Sequence, residues 1–238
     1  MKQVADGVTR LDEWPAPVIN VYLVGDVLID AGRRWDRRRI FGQLTGRELS
    51  MVALTHAHPD HQGVAKDVCE ARGVPLACHA GDVDAMEGRV PLTEGSDLRG
   101  RLITKLWQGP PHAVGRVLRE GEEVAGFRVI HAPGHTPGEV IYFRDADAVA
   151  ICGDVIRNLN YATLRPEIKE PPEAFNADTT ENRRSIRRLA ELRPSIILPG
   201  HGRAITDIAA FERFVERLPA ADASQYDARH STVARRGA

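Results

Sequence analysis

The sequence predicts a protein of the α/β class, and three observations support that prediction. Short apolar runs bounded by glycine, proline or aspartate recur along the 238 residues, as expected of buried strands. Segments with apolar side chains at helical spacing lie between several of these runs. Histidine and aspartate residues stand directly after four of the runs, within turns. Alternation of strand and helix is the arrangement from which layered α/β folds are built.

The first half of the chain alternates most clearly. Apolar runs over 18–24 and 27–29 are joined by Gly25 and Asp26, which predicts a hairpin. The pattern then predicts a helix over 37–44, a strand over 51–55, a helix over 62–72, a strand over 74–78 and a helix over 81–86.

The second half contains two irregular stretches. Residues 88–118 carry glycine, proline and charge around one helical stripe, so we expect a surface excursion or lid, and 157–178 is expected to form substrate-side loops. We predict a single domain over 1–218 and a mobile tail over 219–238. The remaining predicted elements are strands over 127–131, 139–143, 148–151 and 195–198, and helices that end at 192 and 218, capped by Thr179 or Thr180 and by Asp207.

The hexapeptide HAHPDH at residues 56–61 brings four potential metal ligands directly behind the strand predicted over 51–55. His56 and His58 are two apart on extended backbone and therefore point to the same side. Pro59 keeps His58 extended and is itself suited to the first turn of a helix, so Asp60 and His61 are expected in that turn. The end of the strand and the start of the helix should converge on one point.

Three further polar residues follow predicted strands within glycine-rich turns. His135 lies in PGHTPG, Asp154 follows Gly153, and His201 lies in PGHG. A lone histidine or aspartate in such a turn is more often structural, but the joint occurrence beside the hexapeptide indicates a set of seven ligands.

With HxHxDH followed by His, Asp and His in matching order, the sequence resembles the metallo-β-lactamase-fold superfamily, in its glyoxalase II or lactonase-like branch, over residues 18 to about 206. The resemblance implies a four-layer αββα sandwich of two mixed sheets with metals at one sheet edge. It implies that His56, His58 and His135 hold one metal, that Asp60, His61 and His201 hold the other, and that Asp154 bridges both. It also places Asp30, Thr55, Gly63 and Thr136 where they would orient ligand imidazoles.

The ligand types predict hydrolytic metal chemistry. Imidazole and carboxylate suit zinc, which we expect at both positions, with iron or manganese as alternatives. Two divalent ions about 3.5–4 Å apart activate water and stabilise developing negative charge, and Asp60 would orient that water. The sequence has no GxSxG elbow or Walker A loop, and Cys152 in its apolar context is better interpreted as a core residue than as a nucleophile.

We predict a binuclear hydrolase of a small carboxylic ester, thioester or lactone. Arg157 is a candidate substrate clamp, Tyr161 a candidate donor to a carbonyl oxygen, and Trp107 a candidate pocket wall. The glutathione-binding helical domain of glyoxalase II is not expected, because only a short segment follows His201. The alternatives are an iron-dependent persulfide dioxygenase, a phosphodiester or β-lactam hydrolase, and a non-enzymatic metal scaffold.

Composition limits the partners that we expect. A formal net charge of −1 argues against nucleic acid, and no apolar run approaches the length of a membrane helix. The three cysteines lack metal-binding spacing and lie in apolar contexts, so we expect reduced, buried thiols. These observations predict a cytoplasmic monomer or homodimer acting on a small molecule.

Overall fold

Two β-sheets pack face to face, and helices cover their outer faces, in the computed structural model, which describes residues 1–13, 16–92 and 98–219. One cluster of buried side chains fills the space between the sheets. A second lies between the first sheet and its helices, and a third between the second sheet and its helices. This arrangement confirms the predicted αββα sandwich.

The first sheet has seven strands in chain order and is mixed. Its first four strands are antiparallel to one another, and its last four run parallel. The strands are β1 (Lys2–Ala5), β2 (Val8–Arg10), β3 (Tyr22–Val24), β4 (Val27–Ile29), β5 (Met51–Ala53), β6 (Leu76–His79) and β7 (Arg116–Leu118).

The second sheet has five strands in the order β14-β11-β10-β9-β8, and only β11 and β14 pair in parallel. A separate two-stranded ribbon pairs β12 with β13. The strands are β8 (Glu123–Val124), β9 (Phe127–His131), β10 (Val140–Arg144), β11 (Val149–Gly153), β12 (Arg157–Asn158), β13 (Ile168–Lys169) and β14 (Ile196–Pro199).

The described helices divide between the outer layers and the edge of the sandwich. Side chains of α1 and α3 pack on the first sheet, and those of α6 and α7 pack on the second. The helices are α1 (Arg37–Gln43), α2 (Pro59–Gln62), α3 (Ala65–Arg72), α4 (Val83–Met86), α5 (Leu98–Trp107), α6 (Thr179–Glu191) and α7 (Ile208–Glu216).

Alternation along the strands separates the layers. On β3, Tyr22 and Val24 join the cluster between the sheets, whereas Leu23 packs with residues of α1 and α3. Successive side chains of a strand point to opposite faces, so a run that is apolar at every position is buried on both sides. That requirement explains why the sequence showed continuous apolar runs there.

Three predicted boundaries are wrong. Strand β3 begins at Tyr22 rather than at Val18, because the segment before it turns its amides towards other partners. The helix predicted over 62–72 is two helices, α2 and α3, which part at Gly63. The cap of α6 is Asp178, whose carboxylate accepts a hydrogen bond from the amide of Glu181 at 3.0 Å, rather than Thr179 or Thr180.

Other expectations fare differently. Asp207 caps α7 as predicted, by accepting a hydrogen bond from the amide of Ala210 at 2.9 Å. Strands β1 and β2 were not predicted, because their segments are short, more than half polar and without a continuous apolar run. The excursion over 88–118 contains α5 and β7, and the tail predicted to be mobile lies, apart from Pro219, outside the described residues.

Candidate metal centre

The seven candidate ligands of the sequence all lie at one edge of the sandwich, where strands from both sheets end. Strand β5 leads into the hexapeptide at 56–61, and β9 leads into the turn that holds His135. Asp154 directly follows β11, and His201 stands two residues after β14. The carboxyl ends of strands from both sheets therefore converge on one point and carry their turns with them.

Ligand atoms of these residues lie close enough together to bind a shared metal ion. In each of three groups, every residue offers one ligand atom, and these atoms all lie within 4.8 Å of one another. The groups are His56, His58 and His135; Asp60, His61 and His201; and His56, His61 and Asp154. Asp154 lies between the first two groups, with carboxylate oxygens 3.5 Å from His135 Nε2, 3.5 Å from His61 Nε2 and 3.0 Å from His201 Nε2.

Several of these atoms are buried without a hydrogen-bond partner, which fits a site for cations. Nε2 of His56, Nε2 of His61 and Oδ1 of Asp154 have no such partner, although all three residues are buried. Leaving a buried polar atom unpaired costs about 1–3 kcal/mol, and so does each further one. Divalent ions bound to the cluster would supply partners for these atoms, so the residues present fit a metal site with imidazole and carboxylate ligands.

The electrostatics of the histidines also suit a cation. Burial, reinforced by the neighbouring histidines, lowers the pKa of His56 and of His58 well below the ordinary value, so both rings keep a free lone pair. Burial lowers the pKa of His61 as well, but Asp30 and Asp154 outweigh it and raise that pKa to about 10. Carboxylates that favour a proton on His61 also favour a metal ion beside it.

Hydrogen bonds from neighbouring residues orient the imidazoles. The Asp30 carboxylate lies 2.8 Å from His61 Nδ1 and also accepts a hydrogen bond from the amide of Thr55 at 2.8 Å. The Thr55 hydroxyl donates to Asp30 at 2.8 Å and lies 3.1 Å from His56 Nδ1. Such partners select the ring nitrogen that faces the metal. Asp30 and Thr55 therefore stand where the resemblance placed them.

The other two predicted orienting residues act differently. A Cβ atom on Gly63 would lie 2.4 Å from the carbonyl carbon of Arg33, so glycine lets the end of α2 contact the backbone beside Asp30. Among the described hydrogen bonds, the Thr136 hydroxyl donates to Asp82 at 2.9 Å rather than to a ligand imidazole.

Sequence reasoning missed Asp82, Glu139 and Asn176. Asp82 is buried and accepts hydrogen bonds from the amides of Ala57 and Gly138 at 2.8 and 2.7 Å, which joins the hexapeptide loop to the His135 turn. Glu139 accepts a hydrogen bond from the Asp154 amide at 2.6 Å. The Asn176 amide oxygen lies 2.7 Å from Nδ1 of His135. The one available signal was a glutamate directly before an apolar strand, and it is weak.

A cavity of about 280 Å³ opens over the cluster. Of the candidate substrate contacts, Trp107 and Tyr161 line it, and the Tyr161 ring lies 5.8 Å from that of His201. Its other lining residues are the ligands His58, Asp60, His135, Asp154 and His201, together with Val18, Ile19, Pro59, Thr104, Pro172 and Phe175.

Arg157, the predicted substrate clamp, is not among the described residues that line this cavity. Its guanidinium packs over the Tyr161 ring at 4.6 Å, donates to the carbonyl of Glu170 at 3.1 Å and also donates to that of Leu159. The short ribbon of β12 and β13 turns the side chain towards this backbone, an arrangement that spacing along the chain did not indicate.

Fold and cluster together define a metal-dependent hydrolase built on an αββα sandwich. The chain belongs to the metallo-β-lactamase superfamily, whose family model matches residues 14–201. Members of this superfamily use binuclear metal sites. Within the described residues, no helix has both the length and the apolar character needed to cross a membrane.

Individual relatives agree with this assignment. A protein of Bacillus subtilis (strain 168) described as probable metallo-hydrolase YflN is 29% identical over 231 residues, covering 86% of this chain and 87% of its own length. A hydroxyacylglutathione hydrolase of Acidiphilium cryptum (strain JF-5) is 32% identical over 73% of this chain and 58% of its own. The crystal structure of TTHA1623 in a di-iron-bound form superposes with a TM-score of 0.64 and 32% identity, covering 83% of this chain and 94% of that one.

Proposed function

We propose that the protein hydrolyses a small, uncharged carboxylic ester, thioester or lactone. The observation that carries this proposal is the composition of the cavity over the ligand cluster. Its walls beyond the ligands are Val18, Ile19, Pro59, Trp107, Tyr161, Pro172 and Phe175, together with Thr104. Among the described lining residues, no lysine or arginine is present. An apolar wall beside a few polar groups favours an uncharged ligand.

In this proposal, two divalent metal ions are held by the seven clustered side chains. His56, His58 and His135 would hold one, Asp60, His61 and His201 the other, and Asp154 would contact both. When bound, such a pair lowers the pKa of water towards about 7 and stabilises negative charge on a carbonyl oxygen. We expect zinc from the ligand types, and the di-iron form of TTHA1623 makes iron the principal alternative.

Residues of the chain would position the reactants. Asp60 is the most exposed carboxylate of the cluster, at 15% of its side chain, and lies 3.4 Å from His201, so it can accept a proton from water and orient it. The Tyr161 hydroxyl can donate a hydrogen bond to the carbonyl oxygen of the substrate, because a phenol keeps its proton at neutral pH. Apolar walls would hold the acyl group and exclude bulk water.

The same cavity disfavours two of the competing substrate classes. β-Lactams and glutathione conjugates carry carboxylates away from the bond that is cleaved, and proteins usually bind such groups with arginine or lysine. The described lining residues offer neither, and Arg157 is occupied by backbone carbonyls. Thioesters therefore remain candidates only where the thiol portion is uncharged.

A substrate panel tests the proposal. Zinc, manganese and iron forms should be assayed with p-nitrophenyl esters, γ-lactones, uncharged thioesters, bis-p-nitrophenyl phosphate and a chromogenic β-lactam. We expect turnover of the carboxylic compounds, lost in Asp154→Ala and retained in His112→Ala, because His112 lies outside the ligand cluster and the cavity lining. Turnover confined to the phosphodiester or β-lactam would refute the proposal. One iron per chain with oxygen uptake on a persulfide, and no ester cleavage, would replace it with the dioxygenase.

A further inference from the structure

We propose that Arg33 is a positioning residue that holds two walls of the acyl cavity in a fixed arrangement and so sets which acyl groups fit. The inference rests on the proposed function, because it takes the cavity to be the acyl site. Arg33 itself does not line the cavity. It contacts the residues that support each wall.

The first wall, Val18 and Ile19, is held by Glu13. The Glu13 carboxylate accepts hydrogen bonds from the amides of Val18 and Ile19 at 2.8 and 2.7 Å, and its side chain is only 8% exposed. The same segment contacts the ligand cluster, since the Val18 carbonyl lies 2.6 Å from His201 Nδ1. The position of this wall therefore depends on the carboxylate of Glu13.

The second wall, Trp107, stands at the end of α5. Its ring lies 5.9 Å from that of Trp35 in an edge-to-face arrangement. The Arg33 guanidinium lies 5.7 Å from the Trp107 ring and 5.5 Å from the Trp35 ring. A cation beside an indole face is attracted by the ring quadrupole, most strongly where water is excluded.

Arg33 joins the two walls through one planar group. Its Nη2 donates to Glu13 at 2.6 Å, and its Nε donates to Asp36 at 2.9 Å. Guanidinium donors lie in the plane of the group, which leaves both faces free for aromatic rings, whereas a lysine ammonium has no such geometry. With 17% of the Arg33 side chain exposed, solvent screens these contacts only in part.

The backbone of Arg33 is also fixed relative to the metal ligands. The amide of Gly63, which follows α2, donates to the carbonyl of Gly32 at 2.7 Å. A Cβ atom at Gly63 would lie 2.4 Å from both the Arg33 carbonyl carbon and the Arg34 nitrogen. Arg33 therefore starts from backbone packed against the helix that carries Asp60 and His61. Both walls are positioned from one point beside the ligand cluster.

The first test compares acyl chain lengths. In Arg33→Met, we expect the ratio of kcat/KM for p-nitrophenyl hexanoate to that for p-nitrophenyl acetate to fall about tenfold, mainly through KM, because only the longer chain needs both walls. Arg33→Lys should restore part of the ratio through its charge on Glu13. The matched control is Arg37→Met, since Arg37 also stacks on a ring, Phe41 at 4.8 Å, and pairs with Asp67 at 3.3 Å, but away from the cavity. An unchanged ratio in Arg33→Met would overturn the inference.

The second test asks whether Glu13 and Arg33 act together. Residues in one network give non-additive effects, so Glu13→Gln combined with Arg33→Met should lower the ratio no further than Arg33→Met alone. Fully additive effects would show that Arg33 does not work through Glu13 and would also overturn the inference. If Arg33→Met fails to fold, as judged by circular dichroism, the same ratio is measured in Arg33→Lys, in Glu13→Gln and in the variant that combines them.

A binding measurement separates this inference from the proposed function. The dissociation constant of 1-hexanol, followed by tryptophan fluorescence, should rise about tenfold in Arg33→Met and stay unchanged in Arg37→Met. If the wild type hydrolyses no ester but shows this dependence, the proposed function fails and the positioning role stands. If the wild type hydrolyses esters while hexanol does not bind, or binds both proteins equally, the positioning role fails.

Discussion

The carboxylate of Asp30 lies 2.8 Å from Nδ1 of His61, and this contact leaves the opposite nitrogen of the ring facing Asp154 at 3.5 Å. Asp30 reaches this position because its φ is 62°, a left-handed conformation that aspartate tolerates better than most residues. The residue follows β4, which pairs in parallel with β5, the strand before the hexapeptide. The sheet therefore places a carboxylate behind the imidazole.

Asp30→Ala should weaken metal binding about 10–100-fold, because the His61 ring loses the partner that orients it. Asp30→Asn should weaken it less, since asparagine also tolerates left-handed backbone and keeps an acceptor oxygen. Competition with a chromogenic chelator measures both affinities. Equal affinities in Asp30→Ala and the wild type would show that the contact does not orient the ligand.

The ligand cluster should bind two metal ions per chain. Elemental analysis should find two in the wild type and in His112→Ala, and fewer in His201→Ala and Asp154→Ala, whose side chains belong to the grouped ligand atoms. Removing the metal with a chelator should lower the thermal midpoint, because a ligand at 100 times its Kd stabilises the folded state by about 2.7 kcal/mol. A wild-type content of one ion would contradict the binuclear assignment.

Glu139 should support the Asp154 backbone rather than take part in turnover. It is fully buried and accepts a hydrogen bond from the Asp154 amide at 2.6 Å. Glu139→Ala leaves that amide unpaired and should lower the free energy of unfolding by about 1–3 kcal/mol, whereas Glu139→Gln retains an acceptor and should lower it less. Denaturant titration distinguishes the two. Equal decreases in the free energy of unfolding would show that the hydrogen bond to the Asp154 amide is not the source of the stability.

Two glycines should respond oppositely to alanine. Gly63→Ala places a methyl group 2.4 Å from backbone of Arg33 and Arg34 and should destabilise the fold by about 1–3 kcal/mol. Gly42 lies within α1, and a methyl group there would meet no atom of another element within 4 Å, so Gly42→Ala should be neutral or stabilise by about 0.5–1 kcal/mol. Thermal melts measure both. An unchanged melting temperature in Gly63→Ala would show that the backbone at Arg33 and Arg34 can shift at little cost in free energy.

Asp36 should contribute stability that depends on pH. Burial alone would raise the pKa of Asp36, but hydrogen bonds from Arg33 and the charges of Arg39 and Arg33 outweigh burial and lower that pKa. The ionised carboxylate therefore stabilises the folded state above about pH 4, the ordinary value in an unfolded chain, and this stability is lost as the pH falls through the lower folded-state pKa.

Comparison of the wild type with Asp36→Asn tests this sign. The difference in unfolding free energy of the metal-free proteins should be largest near pH 7 and shrink below about pH 4. Asp145→Asn is the control: Asp145 pairs with Arg128 with 63% of its side chain exposed, so its loss should matter less at every pH. A difference for Asp36→Asn that stays constant from pH 7 to pH 3 would contradict the prediction.

Much of the site was predictable because its parts are local in the chain. Three candidate ligands, His135, Asp154 and His201, stand in turns that follow apolar runs, so strand, turn and ligand type could be recognised together there. Boundaries failed where distant contacts intervened. Strand β3 starts late because the amides of Val18 and Ile19 bond the Glu13 carboxylate, which no local pattern indicates.

The amino-acid sequence by itself indicated the alternation of strands and helices around the site, the seven candidate donor side chains and the class of chemistry that they suit. Tertiary structure alone decided which atoms meet. Asp82 bonds the amide of Gly138, 56 residues away, and Asn20 bonds the carbonyl of Pro199, 179 residues away. It also directed the Arg157 guanidinium to the carbonyl of Glu170 and brought the Arg33 guanidinium to 5.7 Å from the Trp107 ring. These contacts depend on how the two sheets and their turns pack against each other. Hydrophobic periodicity in the sequence indicates which face of a strand or helix is buried, but not which residues it packs against.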